Sequence, residues 1–167
     1  ELELASTVNA GSFGLVQVAT IDRDGWMIWS SVPGASGRVF LGDREHFQVH
    51  EQGLDGLFIS RPLLGRVSNR WTLNLTRPMR DASGSFAGVA VVSMDLYSLS
   101  EALADLHLNA NDRALLFREF LTVARSRDPQ GFINLELPAN DPLRQATLGV
   151  SHGAVERLGR TARPNIA

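Results

Sequence analysis

A chain of 167 residues that is 44% apolar can bury a substantial core, and a net charge of −2 excludes the broad basic surface of a generic nucleic-acid binder. All 16 basic residues are arginine, scattered along the chain rather than clustered, and cysteine is absent, which excludes a disulfide framework and a thiolate metal site. No stretch reaches the roughly 18 consecutive apolar residues of a membrane span.

The chain opens on Glu1-Leu2-Glu3-Leu4, without Met and in mid-helix, as a piece excised from a longer protein would. Leu2, Leu4, Ala5 and Val8 recur at helical spacing, so a helix is expected from Glu1 to Asn9, laid over one face of a sheet. Gly14 to Ile21 has the pattern of a strand, Asp22-Arg23-Asp24-Gly25 of a turn, and Trp26 to Ser30 of the returning strand. Asp-x-Asp-Gly also opens calcium loops, but the later ligands and terminal glutamate of such a loop are missing. Ser31 to Gly42, rich in Gly, Ser and Pro, is a loop.

Asp43 is placed to cap a short helix over Arg44–Glu51 that stops at Gly53. His46 and His50 fall four apart on one helical face, a spacing that can hold zinc with Glu51 or Asp43 as a third ligand. Phe47 stands where a metalloprotease motif needs Glu, so no metal and no catalytic role is expected of them.

Gly56-Leu57-Phe58-Ile59 is an extended entry, and Leu64 to Asn69 a loop into a long hairpin. In the first arm, Arg70 to Arg77, apolar and polar residues alternate with the period of a half-buried strand. Asp81-Ala82-Ser83-Gly84 supplies turn chemistry, and Phe86 to Met94 is apolar on both sides, as a central strand covered from both faces should be. A four-residue turn would set Arg80 opposite Ser85, Arg77 opposite Gly88 and Arg70 opposite Asp95. Arg77 beside Gly88 then leaves either a gap open to a ligand or an arginine stem packed over the glycine.

Beyond Asp95, Ser98 or Ser100 can cap an amphipathic helix through Leu106, and Asn109 to Asp112 has a linker's composition. A second unit follows, with a strand pair, Arg113–Arg118 and Phe120–Ser126, joined around Glu119, and a helix from Asp141 capped by Asn140. From Gly149 onward the pattern is weak. The expected domains are therefore 1–106 and 107–167, the second with too few strands to close a full sheet.

Ile21-Asp22-Arg23-Asp24-Gly25, Gly42-Asp43-Arg44-Glu45-His46-Phe47, Ile59-Ser60-Arg61-Pro62, Arg70-Trp71-Thr72-Leu73 and the run Gly84 to Leu96 follow one another in an order and spacing that resemble the double Cache sensor family. The resemblance covers residues 1 to about 106 well and 107 to 148 loosely. It implies an α+β fold: a PAS-like antiparallel sheet flanked by helices, a long N-terminal helix, and a second, smaller PAS-like unit. It also implies the periplasmic sensory domain of a bacterial inner-membrane receptor such as a diguanylate cyclase, histidine kinase or chemoreceptor, anchored outside this piece.

In the amino-acid-binding branch of that family a helix carries Arg-x-Trp-Tyr, a following strand Tyr-x-Asp, and the last central strand ends in Asp. Arg44 matches the arginine and Asp95 the final aspartate. His46 and Phe47 replace Trp and Tyr, and Leu63 and Gly65 replace Tyr and Asp, so the half that would hold an amine is depleted.

The expected function is recognition of a small, anionic or carboxylate-bearing molecule, in a pocket between the Asp43–Glu51 helix and the sheet. Arg44 supplies the charge, and His46, Arg61, Trp71 and Asp95 are the expected walls. No enzyme activity, cofactor or nucleic-acid partner is expected, since neither a nucleophile elbow nor a phosphate loop is present. The alternative is a ligand-free PAS-like structural or dimerisation module, with Arg70 paired to Asp95 and a homodimer among the assemblies open to it.

Overall fold

The computed structural model describes residues 14–33, 35, 38–106, 109 and 113–148. The helix expected over Glu1–Asn9 and the stretch from Gly149 onward lie outside them. In chain order the elements are β1 (Leu15–Asp22), β2 (Met27–Ser30), α1 (Glu45–Glu51), β3 (Phe58–Ile59), β4 (Leu63–Leu64), β5 (Trp71–Arg80), β6 (Phe86–Asp95), α2 (Leu96–Ala104), β7 (Leu115–Arg118), β8 (Leu121–Arg125) and α3 (Pro142–Thr147).

The first six strands form an antiparallel sheet in the order β2-β1-β6-β5-β3, with β4 also paired to β5. The β5–β6 hairpin therefore sits at its centre. The fold is α+β, with α1 and the loop before it over one sheet face. Strands β7 and β8 make a separate two-stranded sheet, and among the described residues no helix is long and apolar enough to cross a membrane.

Asp81 organises the hairpin turn: its carboxylate accepts from the amides of Ser83 (2.9 Å) and Ser85 (3.0 Å), and its own amide donates to the Ser85 carbonyl. The tip pairs Arg80 with Phe86 rather than with Ser85, and between Met79 and Arg80 the register shifts once more. Ala87 is the extra residue of this bulge, and Gly88, beside it, takes φ 138°. The two single-residue offsets add to two, so Leu73 faces Met94, Leu75 faces Val92 and Thr72 faces Asp95. Each side chain keeps the sheet face expected of it, but the expected partners are wrong. Arg77 lies opposite Ala90 and is exposed, Gly88 faces Met79, and the gap imagined over the glycine does not form.

The larger correction concerns which face is inside. Alternation along β5 shows that one face is buried without saying which, and the buried residues are the polar ones: Thr72 (1% exposed), Asn74 (4%) and Thr76 (1%). They look toward α1, along with Gln17 of β1 and Ser93 of β6. Next to this polar stripe, Ala19, Ile21, Met27, Phe47, Val89 and Val91 form an apolar core, in which the Phe47 and Phe86 rings meet edge to face at 5.7 Å. On the opposite face Trp71 and Leu73 pack with Tyr97 and Leu99 against Leu96, Val123 and Ile133, a second core that joins the hairpin to α2 and β8. That face is not covered throughout, since Val92 remains 38% exposed.

Helix caps also differ from expectation. Arg44, with no side-chain cap bond, occupies the N-cap of α1, because the Asp43 carboxylate is turned to Arg66. Asp95, not a serine, caps α2 by accepting from the amides of Tyr97 (2.7 Å) and Ser98 (3.1 Å). Asp22 does the same for its turn, accepting from the Asp24 and Trp26 amides.

Gly88 is the most constrained position of the sheet. A Cβ there would stand 2.0 Å from the Ile21 carbonyl oxygen of the neighbouring strand, at a φ that side-chain-bearing residues rarely adopt. Gly88→Ala should therefore lower unfolding free energy by roughly 3 kcal/mol or more in a urea titration, from strain and steric overlap together.

Candidate functional site

The polar stripe and α1 enclose a cavity of about 30 Å³, lined among others by Gln17, Arg44, His46, Arg66, Thr72, Asn74 and Ser93. That is room for about two water-sized groups. Three of its walls follow from local structure. The first turn of α1 brings Arg44 and His46 over the sheet, the pleat of β5 turns Thr72 and Asn74 inward, and the chain through β4 brings Gly65, Arg66 and Val67 across the opening.

Most polar groups beneath α1 satisfy one another. His50 holds the Leu54 carbonyl through Nδ1 (2.8 Å) and Thr76 Oγ1 through Nε2 (2.9 Å), so both ring nitrogens are engaged within the fold. Ser60, fully buried, receives the Asn74 amide on its hydroxyl (3.0 Å) and donates its own amide to the Asn74 carbonyl (2.8 Å). Arg66 grips Asp43 through two bonds of 2.6 Å, and this arginine holds the Asp43 carboxyl below the usual carboxylate range.

Two atoms are left over. Arg44 Nε and Asn74 Oδ1 are buried and have no hydrogen-bond partner, and both residues line the cavity. Arg44 makes one bond, from a terminal nitrogen to the Leu64 carbonyl at 3.3 Å, and forms no ion pair with a carboxylate among the described residues. Burial, then the neighbouring Arg66, lower its pKa, and Asp43 partly offsets this. Beside it His46 is pushed down to about 4, first by burial and then by the charge of Arg44 and the proximity of His50 and Arg66, with Asp43 opposing. His46 is therefore neutral at pH 7, its Nδ1 facing the Asn74 side-chain nitrogen at 3.4 Å. Arg66, also in the lining, is matched by Asp43, so the unpaired positive charge of the site is that of Arg44.

Of the five expected wall and anchor residues, Arg44 and His46 line this cavity and the other three do not. Arg61 points away and binds Glu119 through Nε (2.9 Å) and a terminal nitrogen (2.6 Å), at the tip of the β7–β8 hairpin. Trp71 lies on the opposite sheet face, in the second core. Asp95 is held by its two amides and by Arg70 at 3.0 Å, so it has no free oxygen to offer an amine in the cavity. With Arg70 and Trp71, Asp95 borders a wider, open hollow of about 380 Å³ on the far side of the hairpin, where its carboxylate is already matched by Arg70. Asn74, Gln17, Thr72 and Ser93 were not anticipated. The signal that could have found them was the row of uncharged polar residues at alternate positions of a strand whose neighbours are central.

No protein-family model matches the chain, and no curated protein matches it. Solved structures do match. The extracellular domain of rpHK1S-Z16, described as a histidine kinase, superposes with a TM-score of 0.70 at 26% identity, over 81% of this chain and 55% of that one. The sensor domain of the V. cholerae histidine kinase DctB gives 0.55 at 19% identity, over 78% and 48%. The ligand-binding domain of the Pseudomonas aeruginosa PAO1 amino acid chemoreceptor PctC, in complex with GABA, gives 0.55 at 18%, over 74% and 54%. These are the extracellular, sensor and ligand-binding domains of their proteins, and this chain carries their Cache-type fold while spanning about half the length of each.

The depressed His46 pKa makes stability depend on pH. The unfolded chain takes up a proton at this residue near its ordinary 6.5, whereas the folded chain resists until about 4, so between these values the unfolded state binds more protons. Stability should be full above pH 6.5 and fall as pH drops toward 4, by on the order of 3 kcal/mol from this group. Urea titrations across that window should show the slope, and His46→Gln should flatten it.

Proposed function

We propose that this chain is the extracytoplasmic sensory domain of a bacterial signal-transduction receptor and that the cavity beneath α1 binds a small carboxylate-bearing ligand. The observation that carries the reading is the Arg44 guanidinium, facing the cavity with a buried Nε and no carboxylate partner among the described residues. A guanidinium nitrogen buried without an acceptor is costly, and a guanidinium grips a carboxylate through two parallel bonds, so an anion is the ligand that completes the site. The Cache-type neighbours support the sensory role: their described parts are extracellular or ligand-binding domains of histidine kinases and chemoreceptors. In this reading the parent protein is anchored in the inner membrane by segments outside the chain, residues 1–106 form the ligand-binding unit, and 107–167 belong to a smaller membrane-proximal one.

Heating the chain with a panel of small carboxylates, amines and amino acids tests the reading, since a ligand bound only by the native state raises the melting temperature. Carboxylates should raise it and simple amines should not. Arg44→Ala should weaken carboxylate binding by about 2 kcal/mol, the worth of hydrogen bonds between charged groups at a part-buried site. Arg23→Ala, removing an exposed arginine near Asp81, should leave affinity unchanged. Equal affinities for the two variants would remove Arg44 from the site and leave a ligand-free structural module as the better description.

A further inference from the structure

We infer that the cavity selects a short 2-hydroxycarboxylate over the matching 2-amino acid, the hydroxyl donating to Asn74 Oδ1 while the carboxylate lies on Arg44. The inference rests on the Arg44 anion site proposed above and concerns the other end of the ligand. A bare carboxylate would complete Arg44 and leave the buried Asn74 acceptor unmatched, so the ligand that satisfies both orphaned atoms carries an anion and a donor close together.

The donor is either a charged ammonium or a neutral hydroxyl, and the surroundings distinguish them. Among the described residues that line the cavity there is no aspartate or glutamate. Of the two carboxylates that flank Arg44 in the chain, Asp43 is tied to Arg66 by two 2.6 Å bonds and Glu45 is exposed and outside the lining, while Asp95 is capped by two amides and bonded by Arg70. An ammonium would enter a pocket that holds the unpaired Arg44 charge, an Arg66 already matched by Asp43 and a neutral imidazole, leaving its own charge desolvated with no acidic partner among the described lining residues. A hydroxyl brings no charge and fills the Asn74 acceptor with a single proton. The volume of about 30 Å³ encloses only the hydroxyl and the carbon that bears it, so the carboxylate lies at the opening, on the part-exposed Arg44 guanidinium, and the ligand is short.

Calorimetric titration of the full 167-residue chain with glycolate, glycine and acetate isolates each group, because the three share a carboxylate and differ only in the 2-substituent. Glycolate should bind at least about tenfold more tightly than either of the others, as expected of a site built to receive a hydroxyl. Equal affinity for glycolate and acetate, or glycine binding as tightly as glycolate, would overturn the hydroxyl assignment while leaving the Arg44 anion site intact. No binding of any of the three would overturn the anion site and this inference with it. In Asn74→Asp the new carboxylate accepts an ammonium, so the glycolate-to-glycine affinity ratio should fall by about tenfold or more. An unchanged ratio in the folded variant would place the donor elsewhere. The ratio in the unaltered chain decides the matter even where the variant does not fold.

Discussion

The structure depends on the burial of the polar side of β5. Thr72, Asn74 and Thr76 are more deeply buried than Trp71, Leu73 and Leu75 on the same strand, a reversal of the usual arrangement. A buried polar group without a partner is expensive, so everything laid over this face has to supply hydrogen bonds as well as apolar contact. Helix α1 does so with His50 for Thr76, and the residue after β3 does so with Ser60 for the Asn74 backbone. Only where α1 begins does the matching stop, at Arg44 and Asn74, and that is where the cavity lies.

The apolar side of the same strand has a different task. Trp71 and Leu73 join the core built by α2 and β8, so one hairpin contributes its two faces to two packing problems. Arg61 makes a second tie between them. It leaves the sheet just after Ser60, which is bonded to the cavity residue Asn74, and ends on Glu119 in the β7–β8 turn. Glu119 and Phe120 hold φ 48° and 68° in that turn, positions usually given to Asn and Gly, and Arg144 stacks over the Phe120 ring.

How much of this was legible depended on the range of the interaction. The Asp81 turn, the α1 segment and the β7–β8 pair follow from residues within a few positions of one another, and all three could be read from local pattern. The inner face of β5 could not, because alternation has no sign until neighbouring strands are placed. Trp71 and Arg61 lie elsewhere for the same reason: their partners, Val123 and Glu119, come from segments whose positions the sequence does not fix, whereas Asp95 is turned away by a local cap on Tyr97 and Ser98. Asp43 was set on the helix end when a stronger partner, Arg66, stood across the loop. Arg44 was recognisable only through its place in a family pattern, and Asn74 had no such marker.

The bulge at Ala87-Gly88 has a bearing on chemistry as well as shape. It is the reason that Asn74 stands opposite Ser93, so that both reach the cavity. Were Ala87 paired in regular register instead of bulged out, the pairing carried down the hairpin from the Arg80–Phe86 tip would set Asn74 against Val92 and Thr76 against Ala90. The two strands would then disagree about which side is the interior. A change that forced Ala87 into the ladder, well away from the cavity, would thus exchange a polar lining for an apolar one without altering any residue that touches a ligand. Ligand chemistry in such a sheet is encoded partly as arithmetic, in the count of residues between a turn and a pocket, and chains alike at every lining position can differ in what they bind.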